Sequence, residues 1–256
     1  MGSLFEIAKS GIQAYRQALA VTGQNIANVN TEGYSKRDVA LEELGGIQGG
    51  VTDIADQSGL GVRVDEIRRS FNEYISERLR NSHSAYEQID QFSKEVSLLE
   101  NTLLPKGSDL SSFIGKFFSS LQEVAASPED SAPRVVALES GKDLSNAFKD
   151  YSQRLETTQN GAFTQAGLSI NNINILSAQI SDVNAKLKSS GATNSPNDLL
   201  DTRDLLMEEL SKDIEYTSSY GDKGDVTIRL GNSGQGPILV SPNKAMQLRA
   251  KVTSNL

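Results

Sequence analysis

The sequence predicts a mainly α-helical protein with a small β hairpin region near its start and the beginning of a β domain at its end. Apolar residues recur at alternating intervals of three and four over residues 5–29 and again over long stretches of 71–213, as helices require. Glycines punctuate short β-prone stretches within 37–70, and alternating apolar residues return after Ile214.

These patterns divide the chain into four parts. We predict an N-terminal heptad helix with an Asn-rich joint (1–36), a β-rich connector (37–70), an elongated helical bundle (71–213) and the beginning of a β domain (214–256). The chain reaches Leu256 with the last strands barely begun, and this suggests a fragment of a longer protein.

Composition excludes several classes of function. The 256-residue chain carries a net charge of -8, which argues against a nucleic-acid partner. It has no cysteine, so disulfides and thiolate metal sites are excluded. Its apolar runs are far shorter than the ~20 residues of a membrane span. The N-terminus lacks a basic segment followed by an apolar run, so the chain is cytoplasmic or is exported without a cleaved signal peptide.

The first helix carries a heptad seam, meaning two interleaved sets of residues at a period of seven. The seam consists of Phe5, Ala8, Ile12, Tyr15, Leu19, Thr22, Ile26 and Val29. A helix of this length is marginal in water without packing, so the seam requires a partner. We predict a partner helix, with packing on the protein's own core as the alternative. The large members predicted to pack subunits together are Phe5, Ile12, Tyr15, Leu19, Ile26 and Val29.

The connector contains two β-prone stretches, "SKRDVALEEL" and "GVRVDEIRR", and we predict that they form a hairpin or small sheet. Turn glycines separate them: Gly45, Gly46, Gly49, Gly50, Gly59 and Gly61. The stretch "SGLGVRV" lacks a following Gly-Lys-Ser/Thr and leads into a strand, so a phosphate-binding loop is not predicted.

The helical part begins with a long helix from Phe71, on a seam that includes Ile75, Ile89 and Phe92, and "LPKG" at 104–107 ends it. A shorter helix follows in "SDLSSFIGKFFSSLQEVAAS". Ser127 is predicted to cap the next helix.

That next helix passes through Leu144 and Leu155. A separate helix carries Ile173 to Leu187, and Gly191 stops it. The last helix, "NDLLDTRDLLMEELSKD", is expected to point three residues inward: Leu199, Leu206 and Leu210. Beyond it, "YTSSYGDKGDVTIRLGN" and "GPILVSPNKAMQLRA" predict two hairpins, with "DKGD" as a turn.

No catalytic, cofactor-binding or metal site is predicted. His83 is the only histidine and lies off the helical seam, so we interpret it as a surface residue. Asp198, Asp201 and Asp204 share one helix edge, but Arg203 and their first-turn position favour capping and local ion pairs. A metal or acid–base role, and with it an enzyme such as a hydrolase, has no further support.

The stretch "TGQNIANVNTEGYSK" (22–36) is interpreted as a structural joint. Asparagine tolerates left-handed backbone and bonds to nearby main chain. We predict that the helix stops near Val29, that a tight turn follows, and that one aromatic side chain packs to fix the exit angle. The joint residues are Asn25, Asn28, Asn30, Gly33 and Tyr34.

The decapeptide "NIANVNTEGY" (25–34) resembles the N-terminal signature of the bacterial flagellar axial proteins, the family of rod, hook and hook-associated subunits. Lys36 is one departure, since many relatives have Arg there. Rod and hook proteins pass quickly into β domains, whereas this chain first has a long helical part, so the resemblance favours the hook-associated branch. A hook or rod subunit remains the alternative.

The resemblance implies a structural subunit at the junction between hook and filament that self-assembles helically and is not an enzyme. It implies copies of the chain itself, neighbouring hook and hook-associated proteins, the flagellar export apparatus and an export chaperone as partners. It also implies an extracellular location in the flagellum. Relatives end in a second heptad helix that would cover the seam, so the first helix is expected to be orphaned or mispacked here.

Overall fold

The computed structural model describes residues 2–44, 61–103, 109–189 and 196–251. The helices are α1 Gly2–Ala27, α2 Glu73–Leu103, α3 Leu110–Ala126, α4 Ser131–Ser189 and α5 Asn197–Asp213. The strands are β1 Arg37–Glu43, β2 Val62–Arg69, β3 Tyr216–Tyr220, β4 Val226–Leu230, β5 Ile238–Ser241 and β6 Lys244–Ala245. The predicted fold class is confirmed. Five of the predicted turn glycines (45, 46, 49, 50 and 59), the stop at 104–107 and Gly191 lie outside the described residues.

The chain forms two compact units. One comprises Met1–Ser84 with Ile173–Gln247, and the other comprises Ala85–Asn172 with Leu248–Leu256. The divisions between the units fall inside α2 and α4. The predicted boundaries at 36, 70 and 213 therefore stay a prediction.

The core of the first unit lies between the end of α4, α5 and the C-terminal sheet. These eight apolar side chains are almost fully buried: Ile180, Leu187, Met207, Leu210, Val226, Ile228, Leu239 and Val240. The sheet has the antiparallel order β3-β4-β5-β6, so the two predicted hairpins are confirmed. Of the three leucines predicted to point inward on α5, Leu210 is buried and the other two are half-buried.

Two buried polar groups join the helices to this sheet. Asn184 of α4 donates from Nδ2 to the Val226 carbonyl at 2.8 Å and accepts from the Val226 N–H at 2.9 Å. The Tyr216 hydroxyl donates to the Met207 carbonyl of α5 at 2.5 Å. Burial raises the pKa of Tyr216, so the phenol stays neutral and remains a donor.

The prediction of two separate helices between 131 and 189 was wrong. α4 is continuous over 59 residues, which corresponds to roughly 90 Å at ~1.5 Å per residue. Gly161 and Gly167 lie in its exposed middle with open space around them. Each glycine costs about 1 kcal/mol relative to alanine, which weakens a helix without breaking it, and residues 156–172, between the two predicted helices, contain no proline.

The predicted capping role of Ser127 was also wrong. Ser127 lies at the C-terminal end of α3, where its N–H donates to the Glu123 carbonyl. The first turn of α4 is capped by Asp130, whose carboxylate accepts from the Ala132 N–H at 3.0 Å. Asp109 caps α3 in the same way by accepting from Ser112.

The predicted seam of α2 faces solvent along much of its length. Ile75, Ile89 and Phe92 are each more than half exposed. The β1–β2 hairpin is antiparallel, as predicted, with Arg37 opposite Arg69 and a register shift between Ala40 and Leu41.

We expect Asn184→Ala to lower the free energy of unfolding by about 3 kcal/mol, because it leaves two buried backbone groups of Val226 unpaired. The measurement is the urea midpoint. Asn232→Ala, at an exposed turn position of the same unit, is the control and should change it by less than about 0.5 kcal/mol. Equal effects of the two changes would contradict the role of Asn184.

Candidate functional site: the exposed seam of α1 and its joint

The large residues of the heptad seam are exposed. Phe5, Ile12, Tyr15, Leu19, Ile26 and Val29 have between 63% and 75% of their surface in solvent. Within the part of the chain that the structure describes, no element covers them. A row of large apolar residues on one helix face is costly to leave in water, so this face is a candidate contact surface.

α1 packs on the hairpin through a different face, made of smaller residues. Ala14 and Val21 are only 3% and 4% exposed. Ser10 Oγ accepts a hydrogen bond from the Val62 N–H at 3.2 Å. Gly61 has a φ of 114°, and a Cβ there would lie 2.2 Å from Ser10 Oγ, so only glycine allows this approach.

The expectation that α1 is orphaned or mispacked was wrong for the helix, which packs on the hairpin; for its seam it stays a prediction. The hairpin-facing side was missed because its residues are small. Ile7, Ala14 and Val21 recur at a period of seven, and this signal could have identified it.

Asn25 forms the centre of the joint. Its Oδ1 accepts from the Arg37 N–H at 2.9 Å and from the Tyr34 hydroxyl at 2.9 Å. Its Nδ2 donates to the Arg37 carbonyl at 2.8 Å. One side-chain amide thus pairs with both backbone groups of a β1 residue, as a neighbouring strand would, and ties the end of α1 to the hairpin.

The turn between α1 and β1 is made by the other joint residues. The helix ends at Ala27, two residues before the predicted end at Val29. Asn28 Nδ2 donates to the Gln24 carbonyl at 2.9 Å, and Asn28 Oδ1 accepts from the Thr31 hydroxyl at 3.2 Å. Asn30 is exposed.

Gly33 turns the chain in the left-handed region with a φ of 76°. A Cβ at this position would lie 3.0 Å from the Cβ of Leu205 on α5, so Gly33 also permits a close approach between the joint and that helix. The ring of Tyr34 lies under the Arg37 guanidinium at 5.0 Å.

A set of ion pairs joins the hairpin to one edge of α5. Arg37 Nη2 lies 2.5 Å from Asp198 Oδ1 and 3.3 Å from Asp201 Oδ2. Arg69 Nε lies 2.9 Å from Asp201 Oδ1, as an ion pair outside hydrogen-bond geometry, and its Nη2 donates to Asp204. We call these five residues the arginine clamp.

The clamp is mostly buried. The side chains of Arg69 and Asp201 are 5% and 10% exposed, whereas that of Asp198 is 90% exposed. Burial lowers the pKa of Arg37, but hydrogen bonds to Asp198 and Asp201 raise it more, so its pKa lies above the usual value. The guanidinium therefore stays charged in the folded protein.

The prediction for the three acids was partly wrong. Asp204 does form the local pair with Arg203, at 2.5 Å. Asp198 makes no side-chain cap at the start of α5, and it pairs with Arg37 instead. The partners in β1 and β2 are more than 130 residues away, so no local spacing could have indicated them.

The described residues contain no group of three or more His, Cys, Asp or Glu suited to a metal ion. His83 is partly exposed, and its Nδ1 lies 3.9 Å from the carboxylate of Glu208. Beside the joint lies a groove of about 630 Å³, lined by Val21, Asn25, Ile26 and Val39 among others. In the described helices, no stretch is apolar and long enough to cross a membrane.

Two known protein families match parts of this chain. The family described as "Flagellar hook-associated protein FlgK helical domain" matches residues 96–255, which is more than half of the chain. This chain belongs to the FlgK family. A second family, "Flagella basal body rod protein", matches residues 5–34, which contain most of α1 and the joint. The FlgK match confirms the resemblance to hook-associated flagellar proteins, and it supports a structural rather than a catalytic protein.

Curated relatives support the assignment to the FlgK family. The chain is similar to "Flagellar hook-associated protein 1" of Salmonella typhimurium, with 32% identity over 99% of this chain and 45% of the relative. The proteins of the same name from Escherichia coli and Bacillus subtilis are each 30% identical, over 99% and 86% of this chain. This FlgK-family chain spans about half the length of the curated relatives it matches.

A solved structure supports the fold. "The structure of the flagellar hook junction protein FlgK from Burkholderia pseudomallei" superimposes with a TM-score of 0.61 at 24% identity. The match covers 67% of this chain and 30% of that chain. At this identity it shows a shared fold alone.

We expect Gly33→Ala to destabilise this FlgK-family chain by about 1–2 kcal/mol, since alanine is strained at positive φ and its Cβ would crowd Leu205. Gly23→Ala is the matched control. It lies within α1, and a Cβ added there would meet no atom within 4 Å, so alanine should stabilise the helix by up to about 1 kcal/mol. Thermal unfolding of both variants measures the difference, and a shift of the same sign in both would contradict this account.

Asn25→Ala should destabilise the joint by about 2 kcal/mol, because it removes three hydrogen bonds. Amide hydrogen exchange of residues 34–40 should accelerate. Asn30→Ala, in the same stretch but exposed, is the control and should leave exchange there unchanged. Similar acceleration in both variants would mean that the asparagines act together and that Asn25 has no special role.

Proposed function

We propose that this chain is part of a structural subunit that forms the junction between hook and filament of the bacterial flagellum by helical self-assembly. The α1 seam, with Phe5, Ile12, Tyr15, Leu19, Ile26 and Val29, supplies the subunit contact. Asn25, Asn28, Asn30, Gly33 and Tyr34 form the joint that connects it to the hairpin. The single observation that carries the proposal is the exposed seam in a chain of the FlgK family.

The energetics of the seam support assembly. Each large seam residue contributes roughly 1.5–3 kcal/mol when it is fully buried, as an upper estimate. Six such residues on one helix face form a larger exposed apolar surface than a monomer usually has. The alternating spacing of three and four corresponds to a period of 3.5, which favours left-handed supercoiling with another helix.

The proposed partners are copies of the chain and the neighbouring hook and hook-associated proteins. The flagellar export apparatus and an export chaperone are proposed partners before assembly, and the proposed location is extracellular. The alternative is another axial subunit of hook or rod. The family match over 96–255 argues against this alternative, because it is specific to FlgK. The match over 5–34 alone would fit a rod protein equally well.

Leu19→Asp or Ile12→Asp, introduced into the gene that encodes this chain, should abolish assembly of attached filaments, because a carboxylate on the seam cannot be buried without a partner. The measurements are swimming in soft agar and electron microscopy of filaments, with the gene deletion as the negative reference. Gln17→Asp, on α1 but off the seam, should retain assembly.

The purified variants provide the second half of the test. Since both seam residues are exposed in the single chain, their circular-dichroism melts should match that of the parent. Loss of the melt in Leu19→Asp would show that the seam serves the fold of the chain itself. Attached filaments in the deletion strain would remove the proposed function.

A further inference from the structure

We propose that the arginine clamp, and not the turn at 28–33, sets the direction of α1 relative to α5. Arg37, Arg69 and Asp201 are then positioning residues for the assembly seam, although they lie outside it. The consequence for assembly rests on the proposed function. The positioning itself is a property of the single chain.

The turn at 28–33 is stabilised by only a few exposed hydrogen bonds. The side-chain hydrogen bond between Asn28 and Thr31 is exposed, and so is Asn30. The backbone bonds Thr31 N–H to Asn28 carbonyl and Tyr34 N–H to Thr31 carbonyl are single turn bonds. Exposed bonds of this kind contribute little and open readily.

The clamp has the opposite character. Its arginines sit opposite each other on β1 and β2, and its acids lie on one edge of α5, so both strands are held against one helix. Guanidinium groups pair with carboxylates in a fixed planar geometry, and in a buried setting such pairs are strongly directional. Asp201 contacts both arginines and is the shared point.

Arg37 connects the clamp to α1. Its guanidinium binds the α5 acids, while its backbone N–H and carbonyl hold both polar atoms of the Asn25 side chain. The same guanidinium covers the ring of Tyr34, whose hydroxyl donates to Asn25. A single residue therefore relays the orientation of α5 to the end of α1.

Two further contacts keep the hairpin and the joint on α5. Asn197 Nδ2 donates to the Ile67 carbonyl of β2 at 2.9 Å. Gly33 lies against Leu205. The hairpin is thus fixed to α5 at its open end, where β1 begins and β2 ends, and the exposed turn has only to close the chain between two elements that are already positioned.

The absence of cysteine allows a direct test, because two introduced cysteines are the only sites for spin labels. Gln17→Cys on α1 and Thr202→Cys on α5 report the direction of α1 by pulsed electron–electron distance measurement. In this background, Asp201→Asn should broaden the distance distribution roughly twofold. The double change Asn28→Ala/Thr31→Ala, which removes the side-chain bond of the turn, should leave it unchanged.

Three controls make the outcome decisive. Asp222→Asn, the same chemical change in an exposed turn, should leave the distribution narrow. A second label pair, Thr202→Cys with Lys244→Cys, reports α5 against the sheet and should stay narrow in Asp201→Asn. Arg69→Lys keeps the positive charge but loses the planar guanidinium that pairs with two carboxylates. It should broaden the distribution of distances between α1 and α5, and it replaces Asp201→Asn in the test if that variant does not fold.

Broadening in the turn variant with a narrow distribution in Asp201→Asn and Arg69→Lys would overturn the proposal. Broadening of both label pairs in Asp201→Asn would also overturn it, because that variant would then have loosened α5 generally. These distances are measured on the unassembled chain, so the positioning role can fail while the seam still drives assembly, and the reverse also holds.

Discussion

The carboxylate of Asp201, shared between Arg37 and Arg69, is the contact on which the first unit depends. A buried charge is tolerated only when it is paired, so each of the three side chains needs the others. Their pairing requires β1 and β2 to lie side by side and α5 to present its acidic edge to them. Once the hairpin is fixed in this way, Asn25 can bind it and α1 has a surface to pack on.

Local chemistry explains what the sequence could predict. The heptad seam, the hairpins and the asparagine-rich joint all depend on residues a few positions apart, and each was recognised from their spacing. The clamp could not be recognised, because its pairs join residues more than 130 positions apart. The asparagine cluster likewise marked the joint, but only the fold distinguishes Asn25, which holds β1, from Asn30, which is exposed. The continuity of α4 was missed because glycines weaken helices without ending them.

The rod-type family match ends at the joint, and residues 35–95 separate it from the FlgK match. The rod-type match ends at residue 34, and Tyr34 is the residue whose hydroxyl returns to Asn25. The helix and its joint are therefore the portion shared with rod proteins, whereas the FlgK match begins within α2.

The exposed seam also has a consequence for the behaviour of the free chain in solution. Six large apolar side chains in one line favour self-association of the free chain, which increases with protein concentration and with kosmotropic salt. The net charge of -8 opposes such clumping through mutual repulsion, and added salt screens that repulsion. A high concentration of kosmotropic salt therefore promotes self-association of the free chain in two ways. A dilute, low-salt buffer is the condition in which single chains persist longest.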